Sequence, residues 1–220
     1  MDEIILHAKE ILDTEIKKVT PYRKQWLIET DGGKWVAKEV ADKKNLLWII
    51  KVGKELKQRG FSSMPTLKTD GKKWIYSSFI PGKTSTYTNT EEVARMMKTL
   101  AEFHLVGQRV FAPSKKTTGS LLYHRLYRRL LQYYYILNNA YKIEGELGMI
   151  VRAHGKEFYF DGLLAWEELQ RGPLRKVTNQ ERSMGNLAHR DLASHNWMID
   201  HNNDAWLIDW DTVDYDLQLG

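Results

Sequence analysis

His189-Arg190-Asp191-Leu192-Ala193-Ser194-His195-Asn196, with Leu207-Ile208-Asp209-Trp210-Asp211 behind it, is the stretch that decides how this chain is read. Between the two segments the apolar period is two. Residues 197–200 and 205–208 read as strands around His201-Asn202-Asn203, a turn-forming tract, so the spacing predicts a short hairpin. A hairpin folds the chain back on itself. Asp209 at its exit is therefore expected to meet Asn196 at its entrance.

Outward from that stretch, the chain falls into two kinds of pattern. Residues 3–12 read as a helix with Ile4, Ile5, Ala8 and Leu12 on one side. Residues 16–19, 26–30 and 34–40 read as strands, the last two joined by Asp31-Gly32-Gly33, where glycine accepts a positive φ. Residues 45–59 read as a helix with Leu46, Ile49, Ile50 and Leu56 inward and Gly60 past its end. Strands at 66–69 and 74–79 flank an Asp70-Gly71 turn, and Pro81-Gly82 breaks the pattern. From there to residue 187 the period is helical, with helices expected at 91–106, 121–141 and 160–170. Strands followed by helices make the class α+β, divided into residues 1–80 and 81–220.

Composition narrows the chemistry. The 220 residues are 42% hydrophobic, enough for a packed core. There is no cysteine, which excludes disulfides, zinc–thiolate sites and a thiol nucleophile. No signal peptide is readable at the start and no apolar run approaches a membrane span, so a soluble, cytoplasmic protein without a membrane partner is expected. The net charge of +5 favours phosphorylated or acidic ligands without selecting one. Arg125, Arg128 and Arg129 are interleaved with Tyr127, as in some RNA binders. The reading preferred is a helix with Leu122, Leu126 and Leu130 buried and its arginines solvated, so no nucleic-acid partner is expected.

The residue types in the opening stretch suit phosphoryl transfer from ATP. That reaction needs a carboxylate to take the proton of the attacking hydroxyl, and hard oxygens to hold Mg²⁺ against the phosphates. Asp191 suits the first role, and Asn196 and Asp209 suit the second. Lys38, on the third strand, is placed to bind the α and β phosphates. It needs a carboxylate partner. Glu55 on the following helix lies at a suitable distance, and Glu39 is the alternative. No Gly-rich phosphate loop stands between the first two strands; residues 20–24 are the candidate lid, with Arg23 and Lys24 assisting or simply solvated.

His189-x-Asp191-x-x-x-x-Asn196 followed by Ile208-Asp209-Trp210 resembles the aminoglycoside phosphotransferase-like kinases, and within them the CotS-type spore coat kinases. Phe79-Ile80-Pro81-Gly82-Lys83 looks like that family's hinge, and Leu100-Ala101-Glu102-Phe103-His104 like the helix after it. The resemblance implies a two-lobed, protein-kinase-like fold with a β-rich N-lobe and a mostly helical C-lobe. It implies ATP and Mg²⁺ as cofactors, with Asp191 as base, Asn196 and Asp209 on the metal, Lys38 with Glu55 on the phosphates, and backbone at Ser78, Phe79 and Ile80 on the adenine. His189 and Asp216 would support the catalytic loop, and His104 would be a packed core histidine. Family members continue past the Asp216 position into more helices, so an incomplete C-lobe is expected. The implied partners are a nucleotide, an unidentified phosphoryl acceptor and other spore coat proteins. Asp209 is followed by Trp210 rather than Phe-Gly, and no long activation loop fits before Gly220, which speaks against regulation by loop phosphorylation. The rival expectation is a non-catalytic pseudokinase acting as a coat component. The intact set of Lys38, Asp191, Asn196 and Asp209 argues against it.

Overall fold

The computed structural model describes residues 2–40, 43–110 and 122–218. Helix α1 (Asp2–Leu12) leads into strands β1 (Ile16–Tyr22), β2 (Gln25–Thr30) and β3 (Gly33–Glu39). Helix α2 (Lys43–Gln58), β4 (Leu67–Thr69) and β5 (Trp74–Ser78) follow. The five strands form one antiparallel sheet in the order β1-β2-β3-β5-β4. Period-two alternation gives the sheet two different faces. Ile28, Ala37, Trp74 and Tyr76 point to one side and pack under Ile4, Ala8 and Leu12 of α1. Val36, Lys38, Ile75 and Ser77 point to the other and line a cavity.

Strand β6 (Gly82–Thr84) comes next, then α3 (Thr90–Val106), α4 (Leu122–Asn138), α5 (Gly145–Arg171) and α6 (Leu174–Ser183). The chain returns to short strands at β7 (Leu187–Ala188), β8 (Trp197–Asp200), β9 (Ala205–Leu207) and β10 (Asp214–Tyr215). β6, β8 and β9 form a second antiparallel sheet in the order β6-β8-β9. The strand pattern is expected to break at Pro81-Gly82; the structure instead runs a strand through Gly82. The glycine is there for approach rather than for turning, since a Cβ at Gly82 would lie 2.2 Å from the Ile199 carbonyl oxygen of β8.

Contacts gather the chain into two compact units. One takes in the described residues up to 110 with Leu187–Asp214 and Gln218; the other takes in 122–186 with Tyr215–Leu217. Residues 82–110 thus group with the first sheet, whereas the expected division was by chain order at residue 80. In the helical unit, α5 begins at Gly145, well before the 160–170 segment expected, and α6 falls within the stretch expected to be helical up to residue 187 without having been placed as a helix of its own. Glycines at 148 and 155 hide the helix from a propensity reading. They serve packing: a Cβ at Gly155 would sit 2.8 Å from the Leu137 side chain of α4, and one at Gly148 would sit 1.9 Å from the Ile143 carbonyl oxygen.

Candidate active site

The hairpin forms where the alternation puts it. Trp197 pairs with Leu207 and Ile199 with Ala205, and the Ile208 N–H donates to the Asn196 carbonyl at 2.9 Å. Entrance and exit therefore lie side by side. Trp197 is fully buried, and Thr99 of α3 donates its hydroxyl to the Ala205 carbonyl at 3.3 Å, so the hairpin is fixed from behind.

The loop ahead of the hairpin is held by its own backbone and by residues 85–87. The Asp191 carbonyl accepts from Asn196 Nδ2 at 3.1 Å and from His189 Nδ1 at 2.9 Å. Because a carbonyl only accepts, His189 carries its proton on Nδ1. Burial pushes the His189 pKa down to about 4, so the ring is neutral at pH 7. Ser85 donates to the Ser194 carbonyl at 3.1 Å, and the Tyr87 hydroxyl donates to the Leu192 carbonyl. Arg190, at φ 71°, reaches Asp214 at 2.8 Å. The Asp216 carboxylate accepts from the Leu122 and Leu217 N–H groups and faces Arg125 at 3.9 Å, all within the helical unit. His104 is half-buried beside Phe103, at 5.6 Å between ring centroids, and burial lowers its pKa, in keeping with a packed side chain.

Behind the hairpin, Asp209 adopts the left-handed conformation, φ 63° and ψ 65°, unusual for a residue with a Cβ and tolerated best by Asp, Asn and Gly. The turn drives Trp210 into the core, 2% exposed, where its indole N–H donates to the Leu207 carbonyl at 2.7 Å. Phe61, Phe103 and His189 surround it at centroid distances of 5.4 to 6.1 Å. With Trp210 anchored, the carboxylates on either side both point at the sheet. Lys38 Nζ lies 2.6 Å from Asp209 Oδ1 and 2.9 Å from Asp211 Oδ2. Burial alone would lower the lysine pKa; the two carboxylates, Asp209 foremost, outweigh it and hold the group above its ordinary value. Burial and the neighbouring Asp209 push Asp211 up, to about 6. Burial works to raise Asp209 as well, but its interactions with Asp211 and the Lys38 ammonium bring it below the usual carboxylate range.

These groups line a cavity of about 420 Å³. Of the residues singled out in the sequence, Lys38, Ser78, Phe79, Ile80, Asn196 and Asp209 are on its wall. Two are not. Asp191 sits in the adjoining loop, partly exposed, and does not line the cavity itself. Glu55 does not hold Lys38, contrary to the expectation from spacing. Its Oε1 accepts from Arg59 at 2.7 and 3.0 Å, and Arg59 also donates to the carbonyls of Val106, Gln108 and Arg109. The i,i+4 spacing on α2 puts Arg59 within its reach, and the pair ties that helix to the end of α3.

The hinge backbone is partly committed. The Ser78 N–H donates to the Thr66 carbonyl and the Phe79 N–H to the Lys34 carbonyl, both at 2.9 Å. Among the described residues, no carbonyl takes the Ile80 N–H. The sequence reading missed the role of Asp211, although the residue stands in the quoted motif; only the burial of Trp210 reveals its direction. Arg23 and Lys24 also line the cavity. They form the two-residue connection between β1 and β2, and Arg23 donates to the Thr84 hydroxyl at 2.8 Å.

An antiparallel sheet with an inward lysine on its third strand, facing an Asn–Asp pair across one cavity, defines a kinase-like α+β protein. The chain belongs to the phosphotransferase enzyme family, whose sequence model matches residues 22–218. Its fold is similar to that of an aminoglycoside phosphotransferase from Alicyclobacillus acidocaldarius subsp. acidocaldarius DSM 446. There the TM-score is 0.72 at 13% identity, over 96% of this chain and 67% of the other. It is similar also to a spectinomycin phosphotransferase solved with ADP and spectinomycin, with TM-score 0.62, 12% identity, and 99% and 70% covered. A choline kinase from Streptococcus pneumoniae gives TM-score 0.52 at 15% identity, with 99% and 71% covered. At these identities the likeness is one of fold.

Proposed function

We propose that this chain is an ATP-dependent phosphotransferase that moves the γ-phosphoryl group to a hydroxyl of a small molecule or protein. The observation that carries the reading is the 2.6 Å contact between Lys38 and Asp209 on the wall of a cavity that also holds Asn196. In this reading Lys38 binds the α and β phosphates. The hinge holds the adenine, chiefly through the Ile80 N–H, since the N–H groups of Ser78 and Phe79 are bonded elsewhere. Asp191 takes the proton of the acceptor hydroxyl as its oxygen bonds to the γ-phosphorus and the bond to the β-phosphate oxygen breaks, leaving ADP. The loop contacts of His189, Asn196 and Ser85 position Asp191 for that step.

The donor set fits a magnesium ion. Asn196 is 2% exposed and spends its NH₂ on the Asp191 carbonyl, which leaves its amide oxygen as a hard donor, and Asn196 and Asp209 line the same cavity. No cluster of three or more His, Cys, Asp or Glu suited to a metal occurs among the described residues. That suits an ion held by one or two protein oxygens, with phosphate and water completing the shell. Such an ion would neutralise charge on the phosphates during transfer. The CotS-type resemblance further suggests a cytoplasmic enzyme of sporulating cells that associates with coat proteins.

The test is transfer from γ-labelled ATP with Mg²⁺ to a panel of amino sugars, small amino alcohols and proteins. Label should appear on one class, and Asp191→Ala should slow its appearance by about a hundredfold or more. Nucleotide binding without transfer to any acceptor, identical in wild type and variant, would establish the pseudokinase reading instead.

A further inference from the structure

We infer that Asp211, not a carboxylate on α2, is the residue that positions Lys38 for nucleotide, an assignment that rests on the phosphotransferase reading. The lysine must stay put when phosphate arrives, and the group that holds it must not be the one that leaves to meet the ligand. Asp209 cannot fill that role alone, because in the same reading its carboxylate turns to the metal. Glu55 is unavailable: its bonded oxygen is shared by two nitrogens of Arg59, and Arg59 is itself fixed by three carbonyls at the end of α3. Glu39, the other expected alternative, faces Lys73 at 3.7 Å and is well exposed.

Asp211 meets the requirements. Its Oδ2 lies 2.9 Å from Lys38 Nζ, and both side chains are shielded, at 21% and 28% exposed. Its other oxygen is buried without a hydrogen-bond donor. Its position is set by backbone that cannot swing. Trp210 is locked in the core on one side. On the other, Thr212 donates its hydroxyl to the His189 carbonyl at 2.8 Å, and the Val213 N–H donates to the Trp210 carbonyl at 3.3 Å. The two acids of Asp209-Trp210-Asp211 thus divide the work. Asp209 faces the phosphates, and Asp211 keeps the ammonium at the end of β3 while Asp209 is engaged. A helix-borne glutamate is not needed, and α2 is free to use Glu55 for anchoring.

The experiment is a pair of double-mutant cycles, Lys38→Met with Asp211→Asn and Lys38→Met with Glu55→Gln. Each is read by melting temperature without nucleotide and by calorimetric affinity for ADP with Mg²⁺. The first cycle should be non-additive by at least about 2 °C and the second additive. Asp211→Asn should weaken ADP binding by about tenfold, and adding it to Lys38→Met should weaken binding no further. Asp211→Glu should restore part of the loss, which a purely structural role would not do. Coupling at Glu55 rather than Asp211, or ADP affinity of Asp211→Asn within about twofold of wild type, would overturn the assignment. A wild-type chain that shows the Lys38–Asp211 coupling yet binds no nucleotide would remove the phosphotransferase reading and the positioning role together, leaving a plain ion pair.

Discussion

The cavity region and the helical unit of α4, α5 and α6 are built on opposite terms. Around the cavity, nearly every polar group that matters is fixed by a short bond: Lys38 by two acids, Asn196 by the Asp191 carbonyl, Trp210 by the Leu207 carbonyl. Large apolar side chains there are buried, Trp197, Phe61, Phe103 and Leu207 among them. The helical unit leaves Tyr135, Tyr141, Leu147, Phe160 and Leu164 more than 60% exposed, and few of its large side chains are buried. The first region is specified residue by residue. The second is specified mainly by close helix approach at a few glycines. Substitutions should therefore be costly in one and mild in the other.

The largest expected effect follows from Gly82. A methyl there meets backbone of β8, which cannot rotate away, so Gly82→Ala should destabilise by about 3 kcal/mol, read as a shift in urea midpoint. A loss below about 1 kcal/mol would mean that the β6–β8 crossing is looser than described.

An effect of at most that size is expected from acid. With a folded pKa near 4 against 6.5 when unfolded, His189 binds its proton only after unfolding in the window between those values. The unfolded state then holds more protons, so stability falls as pH drops from 6.5 through 4, by up to about 3 kcal/mol in total, and is unaffected by this group above that window. His189→Gln should flatten that part of the pH–stability curve. An unchanged slope would show that His189 is not buried neutral.

The smallest effect belongs to the helical unit. At Gly155 an added methyl meets the mobile end of Leu137, and alanine gains helix propensity of about 1 kcal/mol over glycine. Gly155→Ala should leave stability within about 1 kcal/mol of wild type by the same urea measurement. A loss as large as that of Gly82→Ala would erase the contrast between the regions.

The same contrast explains what was legible in the sequence. The β8–β9 hairpin could be read because alternation and a turn tract are local signals, and Lys38 because it stands on the third strand, just after the Asp31-Gly32-Gly33 turn. The start of α5 could not, since Gly148 and Gly155 lower helix propensity, and only the close approach of the Ile143 carbonyl to one and of Leu137 of α4 to the other gives the reason for them. β6 was hidden by Pro81-Gly82 for the same kind of reason. Glu55 was misread because spacing gave a reach to Lys38 while the shorter i,i+4 partner, Arg59, took the carboxylate. Asp211 was in view but undirected, because its aim depends on Trp210 being buried.

The most direct test of the central claim is calorimetric titration of ADP with Mg²⁺ into wild type and Asp209→Asn. If the cavity lined by Lys38 and Asp209 is a nucleotide site, wild type should bind one equivalent, and the variant should lose at least about tenfold in affinity, or about 1.4 kcal/mol. No binding by wild type, or equal binding by the variant, would contradict it.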